Sequence, residues 1–368
     1  MNRLIIKAIA LMLAFTCCTL MAIANPVDAI EGDPLQTASS GDFFLLTPPK
    51  ETGPVVVHPH FELYSLNLID DELETFEFTG TLILTWHDPR QAFDPVTTGI
   101  NEKVFQGEYQ VKELWPGWYP EVTLANRSGL YQKEGMVLRI QADGTSTLIE
   151  TVNAAARTKL NMLRFPFDKQ HLEAVFEVLG LNGHEFLLKE ASDTGSSFVN
   201  KAKVPQWSIT GTSESVQERS FSYNGHQSLT SEFVVSFDVM RDSLYFQRLV
   251  IFPLIIIVLL SFSVFWMDRS SLGDRLNVSF IGILTAVSYQ VLISDQMPSI
   301  SYFTLMNGFL SLSFFVMSAT VIISLFVSSL DQQRKHDVAD RIDLRCRWAF
   351  PLVYFVLMLL LDSITMMP

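Results

Sequence analysis

Four charge-free apolar runs in the last third of the chain constrain its fold more than any other feature. Residues 249–267, 276–294, 299–330 and 348–361 contain no Asp, Glu, Lys or Arg. A helix of about 20 apolar residues crosses the hydrocarbon core of a bilayer, so each run is near or above the length of a span. The last reaches it when extended past Asp362. We place spans at 249–267, 275–295, 302–327 and 348–367, with a loop at 328–347, all within a membrane domain at 245–368 whose solvent is the lipid bilayer. The loop after the third span carries Arg334, Lys335, Arg341, Arg345 and Arg347, and the loop after the first carries Arg269 and Arg275. The loop after the second has no Lys or Arg. The positive-inside rule therefore puts both chain ends outside.

The N-terminus agrees with that orientation. Arg3 and Lys7 precede an apolar run from Ala8 to Met21, and Ala22-Ile23-Ala24 has the small-x-small form of a signal-peptidase site. Residues 1–24 read as a signal peptide whose removal takes Cys17 and Cys18 with it. Cys346 is then the sole cysteine, so the exported segment has no intrachain disulfide and is held by its core.

Residues 25–54, rich in Gly, Pro and Ser, read as a flexible leader, and 55–244 as an all-β immunoglobulin-like sandwich. Phe76, Phe78, Gly80, Leu82, Leu84 and Trp86 alternate with mostly polar residues, as do Leu172, Ala174, Phe176 and Val178, and Phe233, Val235, Phe237 and Val239. Period two is the signature of a half-buried strand. Ala142-Asp143-Gly144-Thr145 and Tyr223-Asn224-Gly225-His226 supply hairpin turns. Between Asn25 and Leu244 there are 16 Lys and Arg against 31 Asp and Glu. Such acidity excludes nucleic acid as a partner.

Polar residues recur on one face of the second span. Steps of three and four from Asp274 visit Asn277, Ile281, Leu284, Ser288, Val291 and Asp295, a single helical stripe about 32 Å long. Several copies around an axis, with this stripe inward, make a pore: carboxylates at each mouth, Asn and Ser for passing ions, and Ile, Leu and Val for a dry gate. Rings of Asp select monovalent cations. The alternative is that Asn277 and Ser288 only hydrogen-bond a neighbouring helix.

Several motifs carry a family resemblance. Trp86-His87-Asp88-Pro89-Arg90 is similar to WxDxR, Trp118-Tyr119-Pro120-Glu121 with Asn126 to WxPD followed by Asn, and Phe165-Pro166-Phe167-Asp168-Lys169-Gln170 matches FPFDxQ. Pro253 in the first span, Asp274-Arg275-Leu276 opening the second, and Arg345-Cys346-Arg347-Trp348 opening the fourth fit as well. From about Val55 onward the chain resembles the pentameric ligand-gated ion channels of the Cys-loop receptor superfamily. Thr158 and Leu172 stand where that family has its signature cysteines, Glu121 replaces the usual Asp, and the third loop is short. These departures resemble prokaryotic members, which implies a bacterial inner membrane with the sandwich in the periplasm.

The resemblance implies a homopentamer that binds a small-molecule agonist between subunits. The principal face would take Glu177, Phe221, Tyr223 and Phe233, and the complementary face Thr81. An aromatic box with a carboxylate suits an amine; protons acting on the six exported histidines are the other trigger. Asp168 and Arg241 match a family salt bridge that couples the sandwich to the membrane, pressing on the loop at Pro298. No cofactor or metal site is expected: His58-Pro59-His60 offers two ligands only, and Asp70, Asp71, Glu72 and Glu74 read as a solvated charge run. Patterns such as GxSxG, HExxH and the P-loop are absent, which argues against an enzyme. A non-conducting periplasmic sensor is the competing function.

Overall fold

The computed structural model describes residues 47–49, 53–178, 185–190, 204–223, 226–268, 271–294 and 301–366, with backbone only for 221–223, 226–228 and 364–366. The alternating segments form two facing sheets. The six-stranded sheet contains β1 (Val55–Asp70), β2 (Thr75–His87), β3 (Glu102–Gln106), β5 (Arg127–Gln141), β6 (Thr145–Arg157) and β8 (Phe186–Leu188), in the order β3-β5-β6-β2-β1-β8. The four-stranded sheet contains β4 (Val122–Leu124), β7 (Lys169–Val178), β9 (Trp207–Tyr223) and β10 (His226–Arg241), in the order β4-β7-β10-β9. Neighbours run antiparallel except β1 and β8.

Phenylalanines from both sheets meet in the middle. Phe61 of β1 lies 5.6 Å from Phe176 of β7, and Phe78 of β2 lies 6.2 Å from Phe237 of β10, measured between ring centres. Aromatic contacts of this kind add to the area they bury, and they tie the two sheets together. Thr158 and Leu172 occupy the signature positions; the Thr158 hydroxyl points to the His171 carbonyl at 3.4 Å, and Leu172 is fully buried.

Each motif has a local physical task. Asp88 is wholly buried and receives Nε and Nη2 of Arg90, both at 2.8 Å. Its amide donates to the Gly144 carbonyl at 3.1 Å. Gly144 turns the β5–β6 hairpin at φ +91°, and a Cβ there would lie 2.5 Å from the Asp88 carbonyl oxygen, so glycine is required twice over. The Asn126 amide donates to the carbonyls of Arg157 and Glu173 at 2.9 and 2.7 Å and accepts from the Val175 amide at 3.0 Å. That side chain stitches β6 to β7.

Four long helices follow: α1 (Leu244–Trp266), α2 (Leu272–Ser294), α3 (Leu305–Gln332) and α4 (His336–Met366). Pro253 has no N–H for the Leu249 carbonyl; α1 widens into a π-helical stretch at Gln247–Ile251, and that carbonyl accepts the Tyr289 hydroxyl of α2. The segment expected as a loop at 328–347 is helical except for residues 333–335. Charges mark where the chain leaves the bilayer, whereas helical spacing persists beyond it: Ala339 and Asp343 are both buried one turn apart.

Candidate functional site

The α2 stripe turns away from its own subunit. Asp274, Asn277, Ile281, Leu284, Ser288 and Val291 are all exposed, while Arg275, Ser279, Ala286 and Ile293 are buried against the neighbouring helices. The two sets lie on opposite faces because 3.6 residues make a turn. Among the described residues the Asp274 carboxylate has no hydrogen-bonding partner. Asp295, the last member of the predicted stripe, and Pro298 lie outside the described residues.

The sandwich meets the helices at the FPFDxQ loop. Arg241, at the end of β10, donates through Nε to Asp168 Oδ1 at 2.8 Å, and Gln170 Nε2 donates to Asp168 Oδ2 at 2.6 Å. The Arg241 Nη2 group also reaches Asp71 at 2.8 Å, and its guanidinium lies 4.1 Å from the Trp207 ring and 4.9 Å from that of Phe165. Burial works against the Arg241 charge, but the hydrogen bonds it donates to Asp168 and Asp71 outweigh it and raise its pKa. Burial raises the Asp71 carboxyl, partly offset by Arg241. The same loop touches the membrane helices directly: the Met162 amide donates to the Tyr302 hydroxyl at 2.8 Å, the Leu305 amide to the Leu163 carbonyl at 2.9 Å, and Phe165 packs 4.8 Å from Phe246.

Asp71 was not legible as part of this joint. It sits in an acidic run that reads as solvated, and its partner is 170 residues away. Tyr302 and Leu305 carry the described contact that sequence reasoning gave to Pro298.

The residues matched to the ligand box do not all converge. Glu177 is half-buried on β7, opposite Thr123 and Glu232, and Arg219 Nη1 donates to Glu232 at 2.8 Å. Phe221 and Tyr223 end β9 beside the hairpin to β10; their side chains lie outside the described residues. Phe233 is a correction. It faces the interior, 2% exposed and 6.2 Å from Phe176, because it shares the inward register of Val235 and Phe237. Thr81 is buried and donates its hydroxyl to the Tyr64 hydroxyl at 2.7 Å. Tyr64, half-exposed above it, is an aromatic on that sheet face which the sequence reading missed. Elsewhere, His60 Nδ1 lies 3.1 Å from Glu214, joining the two sheets, and His171 Nδ1 lies 2.7 Å from Asp238. Burial is light at His171, and the hydrogen bond that its imidazolium donates to Asp238 raises its pKa. Among the described residues no group of three or more His, Cys, Asp or Glu could hold a metal.

Two family models match the chain: the neurotransmitter-gated ion-channel ligand binding domain over residues 43–243, and the neurotransmitter-gated ion-channel transmembrane region over 250–340. Similar proteins include a proton-gated ion channel of Gloeobacter violaceus, 23% identical over 84% of this chain and 83% of its own length. The pH-sensitive chloride channel 2 of Drosophila melanogaster is 24% identical over 74% of this chain, and the human gamma-aminobutyric acid receptor subunit rho-3 is 24% identical over 71%. The chain spans about half the length of these two animal relatives, 53% and 54%. A sandwich matched as a ligand-binding domain and four apolar helices matched as a channel's transmembrane region make one assignment: the chain belongs to the neurotransmitter-gated ion-channel family, the pentameric ligand-gated channels of the Cys-loop superfamily.

Proposed function

We propose that this chain forms a homopentameric, cation-selective channel in a bacterial inner membrane. Its sandwich stands in the periplasm after removal of a signal peptide at 1–24. The pore is lined by Asp274, Asn277, Ile281, Leu284, Ser288, Val291 and Asp295. The observation that carries this reading is the division of α2, whose polar and gate-forming stripe is exposed while its one arginine is buried. Carboxylates at the mouths attract cations, and the acidic sandwich concentrates them above the pore. Relatives bear the names of both proton-gated and chloride channels, so selectivity here rests on the charges of this chain. Agonist binds at subunit interfaces, against Glu177, Phe221 and Tyr223 on one side and Thr81 on the other. It is a small amine or the proton. The Asp168–Arg241 joint transmits binding to the helices, and the segment at Pro298 receives it.

Current recording from the purified protein in lipid, with amines and pH steps applied, tests the reading. Cation current that Asp274→Lys converts or abolishes is the expected result. Agonist binding without current under any stimulus makes the protein a sensor, and unchanged selectivity in Asp274→Lys removes the pore register.

A further inference from the structure

Adjacent residues at the cytoplasmic end of α2 carry opposite charges and are treated in opposite ways. Asp274 is exposed, whereas Arg275, about 100° further round the helix, is 1% exposed. The Arg275 guanidinium grips one carboxylate with both ends: Nη2 donates to Asp343 Oδ2 at 2.6 Å and Nη1 to Oδ1 at 3.3 Å. Nη2 also donates to the Met267 carbonyl at 2.9 Å. Asp343 comes from the cytoplasmic part of α4 and is itself buried. One turn on, Arg347 Nε donates to the Phe265 carbonyl at 2.9 Å, and its guanidinium lies 5.9 Å from the Trp266 ring. The last helix thus holds the end of α1 at the Phe265 carbonyl and, through Asp343, fixes the only arginine of α2, which in turn holds the Met267 carbonyl.

Stability alone does not call for such a pair, since desolvating two ions offsets most of their attraction. Charge balance at the pore mouth does. Neighbouring α-carbons lie about 3.8 Å apart, within a Debye length of about 8 Å at physiological salt, so an ion at Asp274 feels Arg275 as well. With Arg275 neutralised by Asp343, each subunit presents the Asp274 charge uncancelled. Without Asp343 the two neighbours cancel, and a ring of subunits loses its attraction for cations.

We propose that Asp343 is a selectivity-positioning residue: it neutralises Arg275 inside the subunit and so leaves Asp274 to set the charge of the cytoplasmic mouth. The inference rests on the pore reading of Asp274 given above, and one set of recordings separates the two. Reversal potentials in asymmetric salt are measured for the wild type, Asp274→Asn, Asp343→Asn and the double variant Arg275→Gln/Asp343→Asn. The expected result is a several-fold fall in cation-to-anion permeability for Asp274→Asn and for Asp343→Asn, with the double variant back near the wild-type value. A role confined to packing would lower thermal stability in Asp343→Asn yet leave its reversal potential at the wild-type value. That outcome, beside a shifted Asp274→Asn, overturns the proposal while the pore reading stands. No shift in Asp274→Asn overturns both. If Asp343→Asn subunits do not assemble alone, pentamers mixed with wild-type subunits carry the same measurement, with the shift growing with the variant fraction if the proposal holds and absent if it fails.

Discussion

The guanidinium of Arg241 meets the carboxylate of Asp168 at 2.8 Å with both side chains almost wholly out of water. Asp71 closes on the same guanidinium from the turn between β1 and β2. One cation therefore holds two anions, Asp168 buried and Asp71 partly so, beside the loop that touches α3. Arg241→Ala leaves both carboxylates without their counter-charge and is expected to cost about 3–5 kcal/mol, read as a fall in the thermal unfolding temperature of the detergent-solubilised protein. Asp71→Asn keeps the Asp168 contact and should cost less.

His171 and Asp238 give a pH dependence with a definite sign. The raised His171 pKa means that the folded state holds its proton more tightly than the unfolded chain. The pair's contribution is complete below the ordinary histidine value of about 6.5 and is lost as pH rises through the raised value. Both side chains are more than half exposed, so solvent screening keeps the effect under about 1 kcal/mol. Unfolding temperatures taken between about pH 6 and 8 should fall more steeply in the wild type than in Asp238→Asn. Equal slopes would remove the pair as a contributor.

The two faces of α2 predict a pattern of thiol accessibility. In a background with Cys346→Ser, cysteines placed at Asn277, Leu284, Ser288 and Val291 should react with charged thiol reagents from the aqueous side and change the current. Cysteines at Ser279 and Ala286, which are buried in the subunit, should not. Reaction at Ser279→Cys ahead of Asn277→Cys would rotate the register.

Phe233 lies in the core although motif matching places it in the ligand box, and Tyr64, to which matching assigns no role, stands half-exposed beside Thr81. Phe233→Ala empties a ring from the sandwich core and should cost about 3–5 kcal/mol, seen in unfolding of the solubilised protein and in lower yield. Tyr64→Phe removes only the hydroxyl that accepts from Thr81 and should leave stability within about 1 kcal/mol while moving the agonist concentration for half-maximal current. Wild-type agonist response in Tyr64→Phe would take this position out of the interface.

The strands, the sheets and the four spans were legible because alternation and apolar length are properties of contiguous residues. The stripe from Asp274 to Val291 was legible for the same reason, since one helix carries these residues. What failed involved partners distant in sequence or a boundary set by two effects. Asp71 reads as solvated until β10 brings Arg241 beside it. The 328–347 segment reads as a loop because its charges leave the bilayer, yet nothing in it breaks a helix until residues 333–335. Phe233 is the instructive case: its alternation with Val235, Phe237 and Val239 already places it inward, and the family match pulled it toward the ligand box against that local signal.

The link between α3 and α4 has a consequence for assembly. Only residues 333–335 separate Gln332 from His336, and four extended steps cover on the order of 14 Å. Packed helices sit about 8–10 Å axis to axis, so the link lets α4 pack on its own chain, where Tyr354 meets Phe262 of α1 and Ser313 of α3. A mutation in the packed face of α4 therefore disturbs the bundle of the chain that carries it, even when that chain is diluted among wild-type partners.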